Sequence, residues 1–205
     1  MRGTASRDWS NTALLLGDLQ NDFLHPDGAY GRAGRTAPEI AALPDRIEPL
    51  VTAARARGVL IVATLFRLQP GRRGEQIIAA HLKALRPFLA KGDFAPGSWG
   101  SATVDELQPV EVAVEKVAYS AFYMSRLEWT IRKLGVTRLL VCGIVTNGGV
   151  ASTVRDAHVR EIDTILIEDG CAAFSPETHR TAVDALRPVA RVATIAEMLA
   201  EIGSP

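Results

Sequence analysis

Six short apolar runs recur along the chain, and nearly every side chain in them is aliphatic or β-branched. Because polar residues do not alternate with the apolar ones, these runs are typical of strands covered on both faces, as in a parallel sheet. The predicted strands span residues 13–17, 59–64, 112–114, 138–142, 164–167 and 191–194.

Segments with a helical period of apolar residues separate these strands. Over residues 44–58, Leu50 and Ala54 lie on one apolar face, and Gly58 predicts the end of that helix. Start signals precede three further helices. They are Ser125 with Glu128 before residues 127–134, Ser175 with Pro176, and Thr194 with Glu197.

The alternation of strands and helices predicts an α/β protein, a three-layer α/β/α sandwich around a mostly parallel, six-stranded Rossmann-like sheet. We expect a single domain over residues 11–203, preceded by a flexible N-terminus at residues 1–10. The stretch 68–108 is rich in glycine and proline, and we expect it to form the roof of a pocket, with one helix at 75–85. Ligands in this architecture bind at the carboxyl ends of the strands.

Composition narrows the function further. The 205 residues are 47% hydrophobic and 22% charged, with a formal net charge of zero, so no field favours nucleic acid or a membrane surface as a partner. No apolar run approaches the length of a membrane span. The two cysteines form no CxxC pair and the four histidines are scattered, so we expect a cytoplasmic protein with no cofactor and no catalytic metal.

Three predicted strand ends carry residues suited to chemistry. The first strand runs into Asp18, in a polar run that ends at Phe23, and the third runs into Lys116. The fourth enters the turn Thr146-Asn147-Gly148-Gly149, where a helix N-terminus offers backbone N–H groups to an anion. Taken alone, Asp18 could equally cap its loop, Lys116 could be a solvated lysine, and the glycines could serve only the turn.

Together and in this order, the three segments resemble the isochorismatase-like, or cysteine hydrolase, superfamily over nearly the whole chain. They read Asp-Leu-Gln-Asn-Asp-Phe from Asp18, Lys116 before Tyr-Ser-Ala-Phe, and Gly-Ile-Val-Thr-Asn-Gly-Gly-Val from Gly143. The resemblance implies a triad of Asp, Lys and a nucleophilic Cys, and a cis peptide between Val145 and Thr146. Asp18 and Lys116 occupy the first two positions, but Gly149 stands where most members carry the cysteine.

Neither cysteine of the chain is expected to replace that nucleophile, because Cys142 lies within a strand and Cys171 follows another. No histidine base is evident for the hydroxyls of Ser120 or Thr146. True isochorismatases, which resemble this chain in having a glycine there, use the aspartate as an acid on an enol ether. We therefore predict a hydrolase of a small polar metabolite that works without a cysteine, through acid–base chemistry of Asp18 on an enol ether or a related bond.

Two alternatives stay open: an amidohydrolase scaffold, natural or engineered, that has lost its cysteine, and a non-catalytic relative that binds a metabolite. The resemblance also implies a homodimer or homotetramer. The predicted catalytic positions are Asp18, Lys116 and Gly149, and the residues predicted to bind substrate are Phe23, Phe66, Arg67, Tyr119, Val145, Thr146, Asn147 and Gly148.

Overall fold

A six-stranded parallel sheet forms the centre of the computed structural model, which describes residues 8–204. Its strands are β1 (Thr12–Gly17), β2 (Leu60–Phe66), β3 (Val112–Lys116), β4 (Arg138–Ile144), β5 (Asp163–Ala172) and β6 (Arg191–Ala193). They are ordered β3-β2-β1-β4-β5-β6, and every neighbouring pair is parallel. The predicted α/β fold class is confirmed.

Helices flank the sheet. They are α1 (Asn21–Leu24), α2 (Ala29–Arg32), α3 (Pro38–Ala41), α4 (Leu43–Ala56), α5 (Ala80–Leu85), α6 (Leu127–Lys133), α7 (Ala151–Val159), α8 (Pro176–Asp184) and α9 (Ile195–Gly203). A 3₁₀ turn at Asp105–Leu107 and a π turn at Thr146–Val150 complete the list. None of the helices within residues 8–204 has the length and hydropathy of a membrane span.

The strands are apolar throughout because each one feeds two cores. In β1, Leu14 and Leu16 join a core that contains side chains of α4 and α9. Ala13 and Leu15 point to the other face, into a core with side chains of α6, α7 and α8. Successive side chains of a strand alternate between faces, so a strand covered on both sides shows no polar alternation.

The helix start signals were partly correct. Thr194 and Glu197 form a complete capping box at α9, and the Ser175 hydroxyl accepts from Thr178 N–H at α8. The predicted capping box at Ser125 and Glu128 is wrong, because α6 has Arg126 as its N-cap and Glu128 instead bonds Arg132 and Arg160.

Two predicted boundaries also shift. The helix predicted at 75–85 is shorter, since only Ala80–Leu85 is helical. Most of the predicted N-terminal extension, residues 1–7, lies outside the described residues, but Trp9 is buried in the core, and ordered structure therefore begins before residue 11.

Side chains of the polar run after β1 form hydrogen bonds with segments that lie far away in the sequence. The Gln20 amide donates to the carbonyls of Phe66 and Ser101, and the Asn21 amide donates to the carbonyl of Trp99. The buried Asp22 carboxylate accepts backbone N–H groups from Ala29 at 3.0 Å and from Phe94 at 2.6 Å. These bonds tie segments far apart in sequence to the end of β1.

The glycine at position 100 belongs to the same arrangement. A Cβ atom there would collide with the Asp22 carboxylate, so only glycine lets the loop approach this closely. The Gly-Ser-Trp-Gly segment from residue 97 to residue 100 therefore has a structural explanation.

Candidate active site

The ends of β1, β3 and β4 bring together the three positions predicted to be catalytic. Asp18 directly follows β1 in a left-handed conformation, with φ 59°, which aspartate tolerates better than most residues. Lys116 is the last residue of β3, and Gly149 lies in the π turn that follows β4. Because β1 lies between β2 and β4, and β3 borders β2, the three ends share one edge of the sheet.

Asp18 and Lys116 form a buried ion pair. Lys116 Nζ lies 2.7 Å from Asp18 Oδ2, and the two side chains are only 3% and 8% exposed. The ammonium also donates to the carbonyls of Ala118 at 2.9 Å and Tyr119 at 3.2 Å, so its three hydrogens each have a partner.

Burial raises the pKa of the Asp18 carboxyl above its ordinary value, although the Lys116 ammonium opposes this. The Thr64 hydroxyl, 3.4 Å from Asp18 Oδ1, and the Phe66 backbone N–H also act to lower the pKa. Desolvation and the neighbouring cation thus act on the pKa of this carboxyl in opposite directions. A carboxyl within reach of a substrate can act as an acid or as a base.

Gly149 faces this pair across a short gap. A Cβ atom at position 149 would lie 3.4 Å from Asp18 Oδ2, 3.0 Å from the Ile144 carbonyl oxygen and 3.5 Å from the Tyr119 carbonyl oxygen. A side chain placed there would therefore contact the carboxylate, which is the relation that the family resemblance implies for the nucleophile. Thr153 fixes the turn from below, since its hydroxyl donates to the Gly149 carbonyl at 2.7 Å.

Next to the gap lies a small cavity of about 10 Å³. Asp18, Thr64, Lys116, Gly149 and Thr153 are among the residues that line it, and most of its wall is apolar. This volume is close to the minimum that holds one water molecule.

The turn itself differs from the prediction in one detail. The cis peptide lies between Ile144 and Val145, so its predicted place between Val145 and Thr146 is wrong by one residue. The Gly148 N–H donates to the Val145 carbonyl at 2.9 Å and is already used within the turn.

A larger cavity of about 220 Å³ opens above the ion pair. Asp18, Lys116 and Gly149 line it, and so do five of the residues predicted to bind substrate: Phe23, Phe66, Tyr119, Val145 and Asn147. Most residues in the wall of this cavity were therefore predicted from their positions near strand ends.

The other three predicted substrate-binding residues, Arg67, Thr146 and Gly148, are not among the residues that line this cavity. Arg67 lies along a neighbouring groove, where its guanidinium donates to Ser101 Oγ at 2.9 Å and lies 3.6 Å from Glu115. Thr146 is fully buried, and Gly148 is buried within the turn.

Four wall residues were missed in the sequence: Tyr30 on α2, Arg86 directly after α5, Ile144 at the end of β4, and Phe174 shortly after β5. Phe174 follows a strand end, and the same rule could have found it. Tyr30 and Arg86 lie in irregular segments for which the pattern of apolar positions gives no orientation.

The prediction that no histidine serves the candidate hydroxyls is wrong for Thr146. His179 Nδ1 lies 2.8 Å from Thr146 Oγ1, because α8 packs its side chain against the turn after β4. Burial lowers the pKa of His179, which favours the neutral imidazole. Ser120 instead donates to the Asp156 carboxylate.

Both cysteines are free and fully enclosed. Burial raises the pKa of the Cys142 thiol well above its usual range and that of Cys171 to about 12, so neither forms the thiolate that attacks a carbonyl. The Cys171 thiol donates to the Val141 carbonyl, within the sheet. Within residues 8–204, no group of three or more His, Cys, Asp or Glu side chains is arranged to hold a metal ion.

The fold places the chain in the superfamily of the cysteine hydrolases and isochorismatase-like proteins. The cysteine hydrolase of Pseudomonas syringae pv. phaseolicola 1448A superposes with a TM-score of 0.80 at 25% identity, covering 97% of this chain and 95% of its own. Residues 12–197 match the isochorismatase domain, and the chain belongs to the isochorismatase family.

Two relatives with higher sequence identity to this chain are ureidoacrylate amidohydrolases. The ureidoacrylate amidohydrolase RutB of Methylobacterium radiotolerans is 35% identical over 189 residues, which cover 86% of this chain and 73% of that protein. The protein of the same name from Azorhizobium caulinodans is 34% identical, over 81% of this chain and 78% of its own length. The chain is thus a hydrolase of the isochorismatase family.

Proposed function

We propose that this hydrolase cleaves a small polar metabolite by acid–base chemistry at Asp18, with no covalent enzyme intermediate. One observation carries the proposal: the buried Asp18–Lys116 pair faces a glycine at the position from which a side chain would contact the carboxylate. The site keeps the proton carrier and the cation of the family while it has no thiol.

A water molecule takes the place of the thiol in this proposal. The cavity of about 10 Å³ beside Gly149 is close to the minimum volume for one water, and Asp18 and Thr64 are among the residues that line it. A water bound there lies against Asp18, which can take one of its protons as the oxygen attacks. Lys116 keeps the carboxylate ionised until that step and stabilises the charge around it.

The bond we favour is a C–N bond of a ureido or amide group, because the relatives at 34–35% identity are named ureidoacrylate amidohydrolases. The water oxygen forms a bond to the carbonyl carbon as its proton passes to Asp18. The C–N bond then breaks, and Asp18 returns the proton to the departing nitrogen. The products are an acid and an amine or ammonia.

An enol ether is the second candidate, and the glycine at position 149 favours it. Cleavage of an enol ether needs no nucleophilic side chain: a protonated Asp18 gives its proton to the vinyl carbon, and water adds to the neighbouring carbon. The hemiketal then breaks into an alcohol and a ketone. The raised pKa of Asp18 suits this donor role.

The test supplies ureidoacrylate, related ureido acids and isochorismate to three proteins: the parent, Asp18→Asn and Gly149→Cys. Ammonia from a ureido acid in the parent, lost in Asp18→Asn, would support the C–N proposal. Pyruvate from isochorismate in the parent, lost in Asp18→Asn, would support the second candidate. Asp184→Asn is the matched control, since it removes an exposed carboxylate of α8.

Gly149→Cys separates the remaining alternatives. Ammonia that appears only in this variant would identify an amidohydrolase scaffold without its nucleophile, and the proposed cysteine-free chemistry would be wrong. Parent protein that binds these compounds without converting any of them would identify a metabolite-binding relative instead.

A further inference from the structure

The wall of the 220 Å³ cavity carries a positive charge that the proposed chemistry does not use. Asp18 and Lys116 neutralise each other at 2.7 Å. Arg86 is the remaining charged side chain among the wall residues named above. Within residues 8–204, no carboxylate forms an ion pair with Arg86, whereas Arg32, Arg46 and Arg138 each have one.

Neighbouring aromatic side chains hold Arg86 in place. Its Nε donates to the Tyr30 hydroxyl at 3.0 Å. The Tyr30 ring lies 4.9 Å from the Phe23 ring and stacks at 6.0 Å on the Phe174 ring. Burial raises the pKa of Tyr30, so its hydroxyl stays neutral and leaves the charge of Arg86 uncompensated.

The remaining guanidinium nitrogens offer further N–H donors. A guanidinium has five N–H groups in one plane; one of them serves Tyr30, and the Tyr119 hydroxyl also hydrogen-bonds this side chain. A carboxylate can accept two of the others side by side, which is the strongest pairing that arginine makes. The rest of the wall is apolar and aromatic, with Phe23, Phe66 and Phe174 around the space.

We propose that Arg86 binds the carboxylate of the substrate, and that the cavity selects a short carboxylic acid with a planar body. The cavity, of about 220 Å³, suits a small substrate. That the bond cleaved lies beside Asp18 rests on the proposed function, but the capture of an acid by Arg86 does not.

Arg67, the residue predicted from the sequence for an acidic substrate, is less suited to this role. Its guanidinium donates to Ser101 Oγ and lies 3.6 Å from Glu115, so a neighbouring carboxylate already offsets its charge. A direct comparison of Arg86 and Arg67 therefore decides between the two sites.

The test measures equilibrium binding of benzoate and nitrobenzene by ligand-observed NMR. These probes share one planar shape, differ in charge, and contain no bond that acid–base hydrolysis would cleave. The parent should bind benzoate at least about tenfold more tightly than nitrobenzene, the gain expected for hydrogen bonds to a charged pair. In Arg86→Gln the two affinities should become equal within about twofold, mainly through weaker benzoate binding.

Two further variants keep the proposal falsifiable. Arg86→Lys should retain part of the preference, because it keeps the charge and loses the paired geometry. Arg132→Gln, which removes an exposed arginine of α6, should keep the full preference. A preference that survives in Arg86→Gln, disappears in Arg67→Gln, or is absent from the parent would overturn the proposal.

The binding result is independent of turnover. If the preference follows Arg86 but no ureido acid or isochorismate is cleaved, the carboxylate site stands and the proposed function is wrong. If hydrolysis is observed but the preference ignores Arg86, the proposed function stands and this inference is wrong.

Discussion

The buried ion pair predicts strongly non-additive stability effects. With an effective dielectric constant of about 20, charges 2.7 Å apart attract by about 6 kcal/mol. Each ion also loses several kcal/mol of hydration when it is buried, so the net contribution of the pair is small. Removal of a single partner is different, because the other charge then stays buried without compensation.

We therefore expect Asp18→Asn to lower the free energy of unfolding by about 3–5 kcal/mol at neutral pH. Lys116→Met should cost a similar amount, but its cost should shrink at low pH. Without the ammonium, burial raises the pKa of Asp18 in the folded protein above its value in the unfolded chain. The protonated carboxyl therefore stabilises the fold fully below the unfolded pKa, and this stability is lost as the pH rises through the folded pKa.

Urea unfolding followed by tryptophan fluorescence measures these values in the parent, both single variants and the double variant. The double variant should be more stable than the sum of the two single losses predicts, by at least about 2 kcal/mol. The exposed Arg138–Asp163 pair has the same 2.7 Å separation with side chains 24% and 56% exposed, and its cycle should give about 1 kcal/mol or less. Additivity at the buried pair within about 0.5 kcal/mol would refute the reasoning.

Three further outcomes are expected. If Asp18 acts as a base on a C–N bond, kcat/KM should fall as the pH drops through its raised pKa, whereas for an enol ether it should fall as the pH rises; a pH–rate profile decides the sign. Folded parent should not react with a thiol reagent such as DTNB, because Cys142 and Cys171 are buried and protonated, whereas Gly149→Cys should gain one reactive thiol. Asp22→Ala should lower the free energy of unfolding by about 2–4 kcal/mol, measured by urea unfolding, because two buried backbone N–H groups lose their acceptor.

The sheet and the three strand ends could be predicted because they depend on short-range patterns. A strand covered on both faces is apolar at every position, and an abrupt polar residue marks its end, as at Asp18. The handedness of the crossovers then fixes the side of the sheet on which each connecting helix lies. Nothing in this reasoning requires knowledge of the loops.

The pattern of apolar and polar positions could not predict which partner a given aspartate or arginine side chain would have. Asp18 and Asp22 lie four positions apart in the same polar run and are both buried, yet Asp18 pairs with Lys116 and Asp22 accepts backbone N–H groups. Arg67 follows β2 and was therefore predicted at the site, while Arg86 lies after an irregular segment. The side chain of Arg86 lies in the cavity wall and donates to the Tyr30 hydroxyl, a contact between residues 56 positions apart.

At Gly149, the sequence and the structure provide different information about the mechanism. The sequence identifies a glycine where the resemblance implies a cysteine, and this is compatible with a changed mechanism or with a lost one. The structure adds that Asp18 and Lys116 are paired and buried beside Gly149, in the wall of an open cavity. Stability alone would preserve the pair, because loss of either partner leaves a buried charge without compensation. The relatives at 34–35% identity are named amidohydrolases, and this is why we favour a hydrolase that uses water at this position over a relative that has lost its reaction.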